Sequence, residues 1–287
     1  MSDPNTPRYF RPNHVSAFRI LAAITWDAPT DPTVYGMTDI DVSALQPWLE
    51  RKRLETGQKL TYTHAVARAM AMVMRSYPGL NCMIRRGAIW QRRDVDVFLQ
   101  VAVPSEKPGQ LQGADLSGAL IRQADTKKIE EICTELADKA AKIRAHQDPD
   151  LAKIKSTIAR IPPWLAKRLM RLLAWLNLDW GVDLRGIGVP DDPFGSLMVT
   201  SLGMHGIRYG YAPLFTNARS VGVVLVGGVF DAAVVRDGQI VVRPLLPLSL
   251  AADHRVIDGF QASILCRECI KLLENPELLD QDPVAGG

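Results

Sequence analysis

Residues Leu248-Ser-Leu-Ala-Ala-Asp-His-Arg-Val-Ile-Asp-Gly259 decide how this chain is read. An apolar, strand-like run ends in Asp253, His254 and Arg255, and Asp258 and Gly259 then open a helical pattern. A histidine, two carboxylates and an arginine crowd into six residues only here. Strand-to-loop junctions are where a rigid scaffold displays reactive side chains. The residues alone allow two readings of His254. It is either a general base, with Asp258 four residues on to fix the turn, or a half-exposed histidine in a charged loop.

The rest of the chain sets the bounds. With 287 residues, 47% of them hydrophobic and 23% charged, the composition is that of a soluble globular protein with ample core. A net charge of +3 gives no case for a nucleic-acid partner. No basic-then-apolar leader begins the sequence, and no apolar run approaches the ~20 residues needed to span a bilayer, so the expected location is cytoplasmic. Cys82, Cys133, Cys266 and Cys269 are too few for a disulfide framework. Cys266 and Cys269 lack a second ligand pair, so they read as buried helix-face thiols and no metal is expected.

Outward from the opening stretch, Pro247–Ala252 reads as a strand and Phe260–Glu274 as a helix. Asp237-Gly238, between Val234-Val-Arg and Gln239-Ile-Val-Val, predicts a two-residue hairpin turn. Residues 1–14 carry three prolines and read as an extended arm, and Ser16–Ala23 is helix-like and includes Arg19. Val34–Val42 alternates as a strand, Ser43 caps a helix that Gly57 stops, and a deeply buried helix runs from Thr61 or Thr63 to Arg75. Val95–Val103 is a strand, and a long helix capped by Asp125 or Thr126 follows the period Ile129, Ile132, Leu136, Ala140, Ile143. His14, His64 and His146 stand alone and read as ordinary histidines.

His254-x-x-x-Asp258-Gly259, with Asp253 before it and Arg255 after, resembles the catalytic domain of the dihydrolipoamide acyltransferases of 2-oxo acid dehydrogenase complexes. That family shares its fold and this motif with chloramphenicol acetyltransferase. Asp39–Val42, Lys59–Thr61 and Pro78–Asn81 match further family segments in order, as do Asn217-Ala-Arg219 and the strand after it. Leu197-Met-Val-Thr-Ser-Leu-Gly203 is similar to the family's Phe-Thr-Ile-Ser-Asn-Leu-Gly. This places Thr200 where the family has a hydroxyl facing the reacting carbonyl. Asp115–Arg122 keeps the leucine and apolar end of the family's channel segment but lacks its glycine and proline.

The resemblance implies an α+β, chloramphenicol acetyltransferase-like fold, a mixed central sheet flanked by helices. It covers one domain over 15–279, before a polar tail at 280–287. It implies CoA-dependent acyl transfer to a dihydrolipoyl-like thiol or another small acceptor, with His254 as base, Thr200 as oxyanion donor and Asp258 holding the loop through an arginine such as Arg19. Gly259 would allow close backbone approach. It also implies a homotrimer with active sites between subunits. The arm has no room for lipoyl or peripheral-subunit-binding domains, so the expectation is a free-standing domain with no lipoyl attachment of its own, served by a lipoyl-bearing partner. The polar C-terminus is expected not to build a cage. A non-catalytic assembly or membrane-surface subunit, and a small-molecule O-acetyltransferase, are the alternative functions.

One segment has no counterpart in the family pattern. Over about 161–195, Leu165, Leu169, Leu172, Leu173, Leu176 and Trp180 share one helical face, and Lys167, Arg168 and Arg171 the other. Such an extra helical insertion can pack on protein, lie on an anionic membrane through 164–180, or form a lid over an acyl pocket. Protein packing is the favoured expectation.

Overall fold

The computed structural model describes residues 31–103, 115–145, 161–215 and 218–282. The expected arm at 1–14, Arg19, His14, His146 and Asn217 lie outside the described residues.

These residues form a seven-stranded mixed sheet. Its strands are β1 (Thr33–Asp41), β4 (Val97–Val103), β5 (Asp115–Ile121), β6 (Leu197–Ser201), β7 (Gly222–Val226), β8 (Phe230–Arg236) and β9 (Gln239–Asp253). The order across the sheet is β1-β9-β7-β6-β4-β5, with β8 on the first half of β9. β6 runs parallel to β4 and β7, and the other pairs are antiparallel. β2 (Cys82–Arg85) and β3 (Ala88–Gln91) make a separate hairpin. The β8–β9 turn is the expected one, with Asp237 and Gly238 at φ 51° and 75°, the two positive values such a turn requires.

The helices are α1 (Leu45–Thr56), α2 (Tyr62–Ser76), α3 (Ile129–Arg144), α4 (Pro163–Ala174) and α5 (Gly259–Glu274). α2 and α5 pack on one sheet face, where Val199, Val224, Val226, Leu246, Leu248 and Ala252 meet Leu265, Cys269 and Leu273 in the main core. Every α2 residue from His64 to Met74 is buried, as its apolar periodicity on all sides implies. All four cysteines are free, and burial pushes the Cys269 thiol up to about 12.

Three local expectations change. Ser43 does not cap α1: its hydroxyl and N–H both turn back to Asp41 Oδ1, at 2.6 and 3.0 Å, and Ala44 takes the cap position. The cap of α3 is Lys128, boxed by Glu131, whose Oε2 accepts the Lys128 N–H at 2.7 Å. Asp125 is buried beneath that start, and Thr126 donates to Gln123 O. His64 is a working part of the fold. It is the capping-box partner of Thr61, its Nδ1 accepting the Thr61 N–H at 3.0 Å, and burial lowers its pKa to about 4.

Arg68, 1% exposed in the middle of α2, is bound through backbone carbonyls. It donates to Asp125 O at 2.7 Å, Gln281 O at 2.9 Å and Leu279 O at 3.3 Å, so the packed body runs through Gln281. Lys52 adds ion pairs to Glu130 and Asp280 at 2.9 and 2.7 Å. Arg68→Ala strands three carbonyls and opens a cavity, and is expected to cost about 3–5 kcal/mol in urea unfolding. Arg68→Lys recovers only part of this, because one ammonium cannot span the same fork. A loss below about 1 kcal/mol for the alanine variant would remove this clamp from the account.

Candidate functional site

β9 delivers His254. Leu248–Ala252 is paired on one side to β1 and on the other to β7, so this half of the strand cannot shift. Asp253 ends it, its N–H donating to Val221 O at 3.0 Å. The chain then turns tightly, with the N–H groups of Val256 and Ile257 both donating to Asp253 O at 3.0 and 2.9 Å.

A clip within the turn holds it. Asp253 Oδ1 accepts from the Arg255 N–H and Nε at 3.0 and 2.9 Å, and Oδ2 accepts from the guanidinium tip at 2.6 Å. Burial by itself would raise the Asp253 carboxyl, but the hydrogen bonds and charge of Arg255 outweigh it and leave the group below its ordinary range. The sequence showed these residues side by side without indicating that they bind each other. Their i, i+2 spacing, an aspartate opening a turn, is the local signal for it.

His254 is exposed between these anchors. Its Nδ1 lies 2.9 Å from Ile257 O. A carbonyl only accepts, so Nδ1 carries the proton and Nε2 presents a lone pair. Asp258 does not touch the imidazole. Its Oδ1 accepts from Phe260 N and Gln261 N at 2.8 and 3.0 Å, and the Gln261 side chain accepts the Asp258 N–H at 2.9 Å. It is therefore the cap of α5, fixing the carbonyl of Ile257 immediately before it. Among the described residues no arginine pairs with it. A Cβ on Gly259 would meet nothing within 4 Å, so the close approach expected there is absent among the described residues.

Thr200, 8% exposed, sits near the end of β6. It lies level with Leu225 of β7, which lies level with Ser249 of β9. Neighbours in register share a face and successive residues alternate. Val199 faces α2 and α5, and Thr200 therefore faces the other way. Asp253 is four residues and two strands from that level, about 14 Å along and about 10 Å across. Thr200 and His254 of one chain thus do not meet. Leu225 and Ser249 beside Thr200 are buried, and the same face is exposed at its β1 edge: Tyr35 and Met37 are 56% and 51% exposed, and Tyr35 touches Tyr211 edge to face at 5.1 Å.

The segment at 161–195 stands beside the histidine loop. α4 buries only Ala166, and Leu165, Leu172 and Trp180 stay exposed, so half of the predicted apolar face finds no cover among the described residues. After α4 a π-helical turn, Trp175–Asp179, drives Asp179 into the body. Asp179, 3% exposed, accepts from the Arg86 N–H at 2.8 Å and from both ends of the Arg219 guanidinium. Burial would raise its carboxyl, and Arg219 with the Arg86 N–H holds it below the ordinary value. A cleft of about 780 Å³ opens between this segment and the histidine loop, bounded by Trp175 and Leu172 on one side and Asp253, Arg255 and Val256 on the other. No described helix is long and apolar enough to cross a membrane.

A family model of the 2-oxoacid dehydrogenases acyltransferase catalytic domain matches residues 17–157 and 191–280, leaving most of the insertion outside. The acetyltransferase component of the Bacillus subtilis pyruvate dehydrogenase complex is 26% identical over 265 residues, covering 91% of this chain and 49% of that protein. The chain thus spans about half the length of the curated relatives it matches. Among solved structures, Azotobacter vinelandii dihydrolipoamide acetyltransferase superposes with a TM-score of 0.62 at 22% identity, covering 87% of this chain and 84% of that one. The cubic core of a pyruvate dehydrogenase multienzyme complex gives 0.61 at 21% identity, covering 96% and 99%. These likenesses show the fold, and the family match adds descent: the chain belongs to the family of 2-oxoacid dehydrogenase acyltransferase catalytic domains.

Proposed function

We propose that residues 15–279 form one catalytic domain, with the insertion at about 161–195, that transfers an acyl group directly between coenzyme A and a second thiol of the dihydrolipoyl kind. The observation that carries this is the fixed tautomer of His254, whose Nδ1–H is spent on Ile257 O while Nε2 faces outward. A free thiol is only a few per cent ionised at neutral pH. Nε2 takes the thiol proton as sulfur attacks the thioester carbonyl, and the carbonyl oxygen becomes an oxyanion in the tetrahedral intermediate. Thr200 donates its hydroxyl hydrogen to that oxyanion. Collapse breaks the bond to the departing sulfur, which takes the proton back from His254. No acyl-enzyme forms.

A serine, a histidine and an asparagine of the A. vinelandii relative have been investigated for its catalytic mechanism, the last two four residues apart. Thr200, His254 and Asp258 are offered here for the same three places, Asp258 as a positioning residue. The separation of Thr200 from His254 within one chain, and the exposed Tyr35 and Met37 at the β1 edge of the face that carries Thr200, favour a site completed by a second copy. A homotrimer, with His254 of one subunit facing Thr200 of the next, satisfies both. The second thiol would reach it on a lipoyl domain.

His254→Ala is expected to remove acyl transfer with the fold and oligomer kept, and Thr200→Val to lower kcat roughly a hundredfold, while Thr200→Ser stays active. Trimers assembled from equal amounts of the His254→Ala and Thr200→Val chains test the shared site. Random assortment around a ring restores one intact pairing in about every four, and so about a quarter of wild-type activity. No recovery would mean that both groups act within one chain. Undiminished transfer by His254→Ala would refute the mechanism itself.

Asp258→Ala loses a helix cap, about 1 kcal/mol, and loosens the Ile257 carbonyl that aims His254. Its kcat is expected to fall roughly tenfold with little change in KM, and Asp258→Asn, which caps equally well, to stay near wild type. Equal losses in the two variants would assign the effect to the carboxylate charge instead.

A further inference from the structure

We infer that the cleft between the insertion and the histidine loop is a subsite for an anionic group carried at the end of an apolar chain, and that it selects thioester substrates ending in a carboxylate. The inference rests on the acyltransferase reading for its thioester and on the cleft's own chemistry for the rest.

Four guanidinium groups line the cleft, those of Arg86, Arg171, Arg219 and Arg255, against the two carboxylates of Asp179 and Asp253. Both carboxylates are already bound, Asp179 to Arg219 and Asp253 to Arg255 at 2.6 Å. Among the described residues Arg86 and Arg171 have no carboxylate partner. Arg86 is instead stacked on Trp180 and Trp90, its guanidinium carbon 5.2 and 5.8 Å from the ring centres, which fixes its place and leaves its charge uncompensated. Ser220 also lines the cleft, and its buried hydroxyl has no hydrogen-bond partner among the described residues. Leu172, Trp175, Val221 and Val256 supply apolar wall between these groups. A volume of about 780 Å³ suits a small ligand with one charged end. Fixed cations beside apolar wall match a carboxylate or a phosphate on a hydrocarbon stem far better than a neutral chain.

Position supports selection rather than storage. Asp253, Arg255 and Val256 flank His254 and form one side of the cleft, so a group seated there is adjacent to the proposed base. The opposite wall comes from 171–179, outside the part of the chain that the family model matches. This subsite is therefore an addition to the common core.

The test is calorimetric binding of three probes to the intact protein: coenzyme A, glutaryl-pantetheine, and valeryl-pantetheine, which has the same length without the charge. Wild type is expected to bind glutaryl-pantetheine about tenfold or more tighter than valeryl-pantetheine, with Arg171→Ala abolishing the preference and Arg171→Glu reversing it. Arg171 is exposed on α4, so neither change disturbs the core. If Arg171→Ala instead weakens coenzyme A alone, the bound anion is a phosphate and the selection of carboxylate-ended acyl groups is overturned. Equal binding of all three probes by wild type and variants would overturn the subsite altogether. Acyl transfer by the same samples is read separately. Glutaryl preference without any transfer would sink the acyltransferase reading and leave the anion site standing.

Discussion

The two-sided pairing of β9 is the constraint on which the rest depends. From Leu248 to Ala252 every residue is matched to β1 on one edge and to β7 on the other. A slip of one residue would turn Leu248, Leu250 and Ala252 away from α2 and α5 and empty the core. Register here is therefore held by the whole of the hydrophobic burial. The strand passes that certainty to its end, where Asp253 closes on Val221 and then on Arg255. His254 is one residue beyond a fixed point and three residues before the carbonyl that sets its tautomer.

The same rigidity separates the two proposed chemical groups. Thr200 is tied through β7 to the level of Ser249, and no loop motion in a paired sheet can carry it to the end of β9. On the proposed mechanism, a fold that holds each group well and holds them apart needs a second copy to bring them together. The face that carries Thr200 is also where Tyr35, Met37 and Tyr211 stand exposed. One face of the sheet thus carries both the proposed hydroxyl and, at its β1 edge, the uncovered apolar residues.

What could be read in the sequence was whatever a few adjacent residues encode. The histidine turn, the Asp237-Gly238 hairpin, the all-round burial of α2 and the strand carrying Thr200 each have a local pattern, and each is found where the pattern put it. The α1 cap moved because Ser43 bonds back to Asp41, two residues before it. The cap of α3 is Lys128, and Asp125 lies buried before it with its carbonyl held by Arg68, 57 positions away. His64 looked solitary because its burial comes from the whole core, although its partner Thr61 is three residues off. Nothing local tied Asp179 to Arg219, 40 residues on, so the cleft they support had no sequence signal beyond the presence of extra residues.

That ion pair explains why the insertion can differ in kind from the core it joins. The sheet and α2 are held by burial, which accepts only changes that preserve volume and register. α4 buries almost nothing, and its connection to the body is polar: Asp179 on Arg219 and the Arg86 N–H, Arg85 on the Asp179 carbonyl at 2.7 Å, and Trp180 beneath Arg86. A segment fixed by polar contacts beyond its helix keeps its position while the residues of that helix change. Arg171 and Leu172 lie on such a helix and face the cleft, so the wall of the proposed subsite can be altered without cost to the fold. The histidine, the hydroxyl and the sheet behind them have no such freedom. On the proposed reading, chemistry is confined to the rigid part of this domain, and selectivity to the part held by polar contacts.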